Sequence, residues 1–447
     1  MSKQIGVVVC NYNKQEYVVN CIKSLFESDI DISDVDVYVV DNASTDDSVS
    51  SIRETFGDKV TLLVNSENLG GSGGFNTGLR KALDSSENYK YLMCVDNDIV
   101  FDKSAIRFLK EYLDANEDVA VCGSMAFYMD EPGKIWNYGG KIDFESYIQK
   151  DLYKNRTDIE NLPDSVECDY VPACSLMVRR DAVMRVGIMP DDNFIYWDDM
   201  EWGYRFNTEG YKVVSLKASK VWHKAGGRNA GNTFIHYYMQ RNRINFFMNA
   251  LDSSEKKDQF LETVLAEYFR TIYSVNLKGE VNIAKTLMNA ITDAAKLVRG
   301  KATDGKILPR PEVPNRVESA LSGAGSVTIK FNGMFEGLGN IVKNIRKFDS
   351  NMKIVVSTVD MPDQKEILEE QYKECKITID YDPENTDSHL VMCDHIFKLT
   401  PDMPEDIYID SWCNIVYSKD DFEYAKSYRQ TSDLFVMCMK ALFYTEK

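Results

Sequence analysis

Residues 91–98 read YLMCVDND, five apolar residues that stop abruptly at Asp96-Asn97-Asp98. A run too short for a helix and closed by polar turn formers is the pattern of a buried strand. The same pattern occurs earlier in IGVVVCNY (5–12), VDVYVVDN (35–42) and VTLLVN (60–65). Between the first two, Val18, Val19, Ile22, Leu25 and Phe26 fall on one helical face. Strands alternating with helices predict a parallel, doubly wound sheet with right-handed crossovers. Ligands of such sheets bind beyond the carboxyl ends of the strands. The polar residues at those ends are Asn11, Asp41, Asn65 and Asp96 with Asp98, and one crevice would collect them.

Further along, 120–140 shows no regular pattern, whereas YVPACSLMVRR (170–180) and KVVSLKASKVW (212–222) read as strands. Asp198 to Glu209 reads as a helix stopped by Gly210. Helical character runs from Phe234 to Asn249 and on to about residue 298, and RGKATDGKILPRPEVPN (299–315) reads as a linker. The β/α alternation then restarts with SVTIKFNG, KIVVSTVD, CKITIDYD and DIYIDSW, separated by helices near 334–348 and 364–373. The expected organisation is an α/β domain over 1–250, a helical segment and linker over 251–320, and a smaller α/β domain over 321–447. For that last domain the residues leave two roles open, packing or assembly on one hand and acceptor recognition or docking of a biosynthetic partner on the other. Its His389 and His395 have no evident catalytic companions.

A chain of 447 residues exceeds what one core supports, which fits more than one domain. The formal net charge of −18, from 70 acidic against 52 basic residues, argues against a nucleic-acid partner and against general adhesion to anionic lipid. An acidic protein that handles phosphates needs a cation or backbone amides to offset repulsion. The ten cysteines include no C-x-x-C pair and read as buried, reduced thiols. MSKQIGVVVCNYN lacks the apolar core of a signal peptide, and no stretch approaches a membrane span, so a cytoplasmic location is expected.

Several stretches carry chemistry. Asp96 and Asp98, one residue apart at a strand end, can face one pocket, and Mg²⁺ is typically held by one or two carboxylates plus substrate phosphates. A solvated turn would also account for them. Asp41-Asn42-Ala43-Ser44-Thr45-Asp46 reads either as a capped turn or as an acceptor for a base or ribose donor. In the run from Asn68 to Gly74, four glycines in five positions allow either a plain turn or a loop whose N–H groups cradle phosphate. It does not match the dinucleotide-binding fingerprint, which follows a first strand.

In FIYWDDMEWGYRF, Asp198 and Glu201 share a helical face while Asp199 points elsewhere. Acids at a helix start suit its dipole. Alternatively, a carboxylate beside Trp197 serves as general base for a hydroxyl. His223, in VWHKAGG, is either a packed histidine or the nitrogen ligand that completes a mixed site with Asp98. Lys224, Arg228, Arg241 and Arg243 are cations available to a diphosphate.

Taken in order, VVVCNYN, VVDNASTDDS, NSENLGGSGGFNTGL, LMCVDNDIVF, FIYWDDMEWGYRFNTEGYKVVSLKASKVWH and YYMQRNRINFF resemble the family-2 inverting glycosyltransferases of the GT-A fold. Within that family the likeness is to bacterial rhamnosyl- and galactofuranosyltransferases of cell-wall and surface polysaccharide. The resemblance covers most of 5–248 and implies a donor that is a UDP- or dTDP-sugar, a glycan or lipid-linked glycan acceptor, and a divalent ion, Mn²⁺ or Mg²⁺. It implies a nucleotide-sugar site drawn from Asn11, Asp41, Asn68, Gly70, Gly71, Gly74, Asp96, Asn97, Trp197 and Asp198. Asp98 and His223, with Asp96, are implied as metal ligands and Asp199 as catalytic base. Asn97 stands where some relatives carry a third aspartate, which puts the strength and ion preference of the metal site in doubt. A lipid-linked acceptor would bring peripheral contact with the inner face of the cell membrane. Two other readings of the same residues are a non-catalytic nucleotide-sugar or glycan-binding module and a nucleotidyltransferase.

Overall fold

The computed structural model describes residues 3–224, 231–310, 312–383, 386–399 and 406–445. It divides into two compact units: 1–230 with 234–253 and 297–306, and 231–233 with 254–296 and 307–447.

The first unit begins β1 (Ile5–Asn11), α1 (Gln15–Phe26), β2 (Val35–Asp41), α2 (Ser48–Phe56), β3 (Thr61–Val64), α3 (Gly70–Leu83) and β4 (Tyr91–Asp96). It continues β5 (Ile99–Phe101), α4 (Ala105–Ala115), β6 (Val119–Tyr128), β7 (Ile135–Asn137) and the hairpin β8 (Gly140–Asp143) with β9 (Ile148–Asp151). Then come β10 (Ser165–Cys168), β11 (Ser175–Arg179), α5 (Arg180–Val186), α6 (Asp198–Thr208), β12 (Lys212–His223) and α7 (Phe234–Ala250). The main sheet has the order β10-β12-β6-β11-β4-β1-β2-β3. β4, β1, β2 and β3 are mutually parallel, as the alternation predicts, and β11 enters antiparallel between β4 and β6.

Register explains why the polar strand ends converge. Cys10 pairs with Asp96 and Asn11 with Asp41, so their carboxyl ends lie side by side. Apolar side chains bury on both faces of the sheet. Val7, Val9, Ile22, Leu25, Ile106 and Leu109 make one layer, and Val8, Val40, Leu79, Leu92, Trp202 and Phe206 the other.

Two segments depart from expectation. The patternless 120–140 region holds β6, nine of whose ten residues are buried. A strand buried on both faces shows as an unbroken apolar run, and in β6 Gly123 and Ser124 interrupt that run; Gly123 leaves room for Val171 to pack on it. The glycine-rich run is not a loop: Gly70 opens helix α3, and Gly74, with Gly78 one turn on, allows close contact with the sheet.

The second unit carries α8 (Ser254–Leu277), α9 (Val281–Ala295), α10 (Arg316–Ala320), β13 (Ser326–Lys330), α11 (Phe335–Phe348), β14 (Lys353–Ser357), α12 (Lys365–Gln371) and β15 (Thr378–Asp380). It ends with β16 (Ser388–Met392), β17 (Ile407–Ile409), β18 (Ile415–Val416) and α13 (Lys419–Thr445). Its sheet runs β15-β14-β13-β16-β17-β18, parallel except for the last pair. Numbered from its own first strand this is 3-2-1-4-5-6, a doubly wound order with its switch point between β13 and β16. Among the described residues, no helix is long and apolar enough to cross a membrane.

Candidate active site

The first unit places a cavity of about 240 Å³ at the carboxyl ends of β1 and β4. Asn68, Gly70, Gly71, Asp96 and Asn97 line it, together with side chains the sequence did not single out, among them Cys10, Lys14, Phe75, Phe194 and Phe234.

One wall is a chain of amides and carboxylates. Asn11 donates from Nδ2 to Asp41 Oδ2 at 2.9 Å and accepts from Asn97 Nδ2 at 2.7 Å. Asp41 Oδ1 accepts from the Ser44 amide at 2.9 Å. Asn97 therefore works as a donor, which an aspartate in its place could not. Asn42 closes the next turn: its Oδ1 accepts from Asn65 Nδ2 and the Leu69 amide, and its Nδ2 donates to Asn68 Oδ1 and Gly70 O.

The geometry corrects three expectations. Asn11 and Asp41 are fully buried and Gly74 is turned to the sheet, so they form the backing of the cavity and are not in its lining. A Cβ at Gly74 would stand 2.4 Å from Cys10 Sγ. That glycine exists for close helix–strand approach and does not present an N–H to phosphate. Gly70, with φ +81°, is where Phe194 O comes within 1.9 Å of any added Cβ, so it joins α3 to the loop before α6.

The acidic turn between β4 and β5 meets the end of β12. Because β5 pairs with β12, His223 stands opposite Ile99, beside Asp98. His223 Nε2 lies 3.0 Å from Asp98 Oδ1 and 3.8 Å from Asp96 Oδ2. One donor atom from each of Asp96, Asp98 and His223 falls within 4.8 Å of the others. Two hard carboxylate oxygens and an imidazole nitrogen suit a divalent ion of the Mn²⁺ or Mg²⁺ type. Lys14 Nζ sits 2.5 Å from Asp98 Oδ2, a positive charge already at this turn. The edge of Trp136 against His223, with centroids 4.4 Å apart, fixes the ring.

The second acidic pair opens α6. Burial and neighbouring charge raise both carboxyls: desolvation is the larger cause for each, followed by the Asp96 and Glu201 charges for Asp198 and by the Asp198 and Asp96 charges for Asp199. Asp199 accepts from the Ala173 and Met200 amides at 3.3 and 2.8 Å. Cys174, buried and also pushed up, feels Asp96, Asp98 and Asp199 at once, which ties the β4 acids and the α6 acids to one neighbourhood. Trp197 is fully buried and is the left-handed residue that starts α6, with φ +66°.

Phe194 and Tyr196 share that left-handed region, so three non-glycine residues within four are strained, at about 1–3 kcal/mol each. Asn242 holds them: its Nδ2 donates to the carbonyls of Asn193, Ile195 and Tyr196 at 2.9, 2.9 and 3.0 Å. Arg241 donates to Asn193 O and Gly300 O, and Arg243 to Tyr147 O. Both arginines are buried structural clamps, which corrects their expected availability to a diphosphate. Lys224 is drawn to Asp130, and Arg228 lies outside the described residues. Lys14 is the cation the geometry brings to the cavity, and only its place after NYN could have drawn attention to it.

Residues 6–187 match the model of glycosyl transferase family 2. The galactofuranosyltransferase GlfT2 of Mycolicibacterium smegmatis is 24% identical over 341 residues, 68% of this chain and 52% of that protein. GlfT2 of Mycobacterium tuberculosis is 26% identical over 192 residues, 40% of this chain and 30% of that protein. This chain thus spans about half the length of the first relative and under a third of the second. Among solved structures, the mannosyltransferase PcManGT from Pyrobaculum calidifontis, in complex with GDP-Man and Mn²⁺, aligns at a TM-score of 0.41 and 15% identity, over 66% of this chain and 76% of that one. The likeness to glycosyl transferase family 2 thus rests on residues 6–187, a stretch that lies wholly within the first unit.

Proposed function

We propose that the first unit transfers a sugar, with inversion, from a nucleoside diphosphate donor to a hydroxyl of a glycan or lipid-linked glycan, in polysaccharide synthesis. The observation that carries this reading is the pairing of Asp96, Asp98 and His223 at one turn with a buried, raised carboxyl, Asp199, in the same electrostatic neighbourhood.

Asp199 takes the role of base. Its raised affinity for a proton suits it to remove one from a neutral hydroxyl near neutral pH. The freed oxygen attacks the anomeric carbon from the face opposite the nucleotide. The bond from that carbon to the diphosphate oxygen breaks with both electrons on the leaving group, so the configuration inverts. Asn68, Gly70, Gly71, Asp96 and Asn97 hold the nucleotide, while Asn11, Asp41 and Asn42 keep those groups oriented. Lys14 supplies positive charge to the diphosphate. Asp96, Asp98 and His223 would hold a divalent ion, which supplies Lewis-acid neutralisation of a diphosphate. The likeness to galactofuranosyltransferases supports a UDP-galactofuranose donor over a dTDP-rhamnose one. We assign the reaction to the cytoplasmic side, with a lipid-linked acceptor bringing the protein to the membrane surface.

The test is a panel of UDP-, dTDP- and GDP-sugars with Mn²⁺ or Mg²⁺, scored for released nucleoside diphosphate and for pyrophosphate. Release of nucleoside diphosphate from one donor supports transfer. Pyrophosphate would indicate a nucleotidyltransferase, and binding without release of either would indicate a binding module.

A further inference from the structure

The second unit contains a cavity of about 520 Å³ that plays no part in the chemistry above. It lies at the carboxyl edge of the parallel sheet. Ser411 to Asn414 follow β17, His395 follows β16, and Asn340 and Asn344 project from α11, which follows β13. In doubly wound sheets this edge is where ligands bind.

Its lining is unusual in chemistry. Small-molecule pockets are mostly apolar with a few polar groups. This one is walled by amides, hydroxyls, cations and one carboxylate, Glu280, which is paired with Arg310, and has few aliphatic side chains. Carboxamides both donate and accept hydrogen bonds, and so do sugar hydroxyls, so a polyhydroxylated ligand matches such a wall group for group.

The groups are held in place beforehand. Asp410, fully buried, accepts from the Trp412 and Asn414 amides and from Asn414 Nδ2. Ser274 donates to Asn414 Oδ1 at 2.5 Å, and Asn315 Nδ2 donates to Asn344 Oδ1 at 3.0 Å. The turn forces Cys413 into the left-handed region, φ +57°, a strain that persists only when its surroundings fix it. What the turn displays is an indole: Trp412 is 53% exposed although its backbone is tightly anchored. Arg270 lies 5.8 Å from the indole centroid, and Lys278 Nζ donates to Trp412 O at 2.8 Å, so both cations border the same rim.

We propose that this cavity binds a glycan segment, one sugar ring stacking on Trp412 and its hydroxyls meeting Asn340 and Asn344, with Arg270 and Lys278 favouring residues that carry a carboxylate. This goes beyond the transferase reading and stands separately from it, because the readout is binding.

The test measures binding to the full chain, by calorimetry, of four defined tetrasaccharides, two neutral and two containing uronic acid, and of UDP alone. At least one tetrasaccharide is expected to bind the wild type at millimolar or lower concentration, uronate-containing ones more tightly. Trp412→Ala is expected to weaken it at least fivefold with an unchanged melting temperature, and Arg270→Gln to reduce the preference for uronate. The proposal is overturned if no tetrasaccharide binds, if Trp412→Ala changes affinity less than fivefold, or if UDP is the ligand whose binding depends on Trp412. Should Trp412→Ala destabilise the chain, Trp412→Phe, which keeps an aromatic face, must retain most of the affinity.

Discussion

The seam between α3 and β1 positions the cavity wall, and a double-mutant cycle on it has a calculable outcome. In Gly74→Ala the new Cβ meets Cys10 Sγ at 2.4 Å and Asn42 Nδ2 at 3.2 Å. Ordinary contact between such atoms is about 3.5–4 Å, so Cys10 must retreat by roughly 1 Å or α3 must lift. Overpacking of that kind costs about 1–3 kcal/mol. Replacing a helical glycine by alanine returns about 1 kcal/mol, leaving a net loss of about 0–2 kcal/mol. Cys10→Ala removes the sulfur and leaves only the Asn42 contact, which a few tenths of an ångström relieve. The two changes together should therefore be better tolerated than their separate effects imply, with a coupling of about 1–2 kcal/mol. Hydrogen exchange read on peptides spanning β1 and α3 gives these free energies locally, without assuming that both units unfold together. Since Cys10 pairs with Asp96, Gly74→Ala alone should also weaken nucleotide binding, and the double variant should restore it. Additivity within about 0.5 kcal/mol would refute the packing account of this glycine.

Other consequences follow from the acidic turn and from α6. Asp199→Asn should abolish sugar transfer while leaving nucleotide binding nearly intact, measured as turnover against donor affinity; wild-type turnover would dispose of the base assignment. Because Asp198 and Asp199 both have raised affinity for protons in the fold, their protonated forms stabilise it. That stability is present below the ordinary carboxylate range and is lost as pH rises through the raised values. Melting temperature should thus decline from mildly acidic toward neutral pH, and Asp199→Asn should flatten the decline. Lys14→Met removes the ammonium from Asp98 and should tighten Mn²⁺ binding several-fold, followed by Mn²⁺ electron paramagnetic resonance, while raising the KM for the donor. Asn242→Ala deprives three carbonyls of their donor and should cost about 2–4 kcal/mol, with turnover falling more than donor affinity, read by denaturation and initial rates.

How far the sequence reached follows from what each residue contacts. β1, β2 and β4 announced themselves as short apolar runs, and so did the Asp96-Asn97-Asp98 turn, because a polar triplet that cuts short an apolar run marks where a buried strand reaches the edge of its sheet. β6 did not, since Gly123 and Ser124 break its apolar run although nine of its ten residues are buried. α3 did not, because glycine is the weakest ordinary helix former, and the tight approaches of Phe194 to Gly70, Cys10 to Gly74 and Val8 with Val40 to Gly78 appear only in the fold. Buried cations mislead in the same way. Arg241 and Arg243 stand in a motif beside the site, yet their guanidinium groups are spent on backbone carbonyls. Lys14 looks unremarkable in sequence and ends beside Asp98. The common cause is that residue type states which bonds a group can make, while tertiary contact decides which partner receives them. The strained loop from Phe194 to Trp197 takes this furthest: nothing in FIYW signals left-handed backbone, and it is Asn242, about 45 residues later, that holds the loop leading into Asp198 and Asp199.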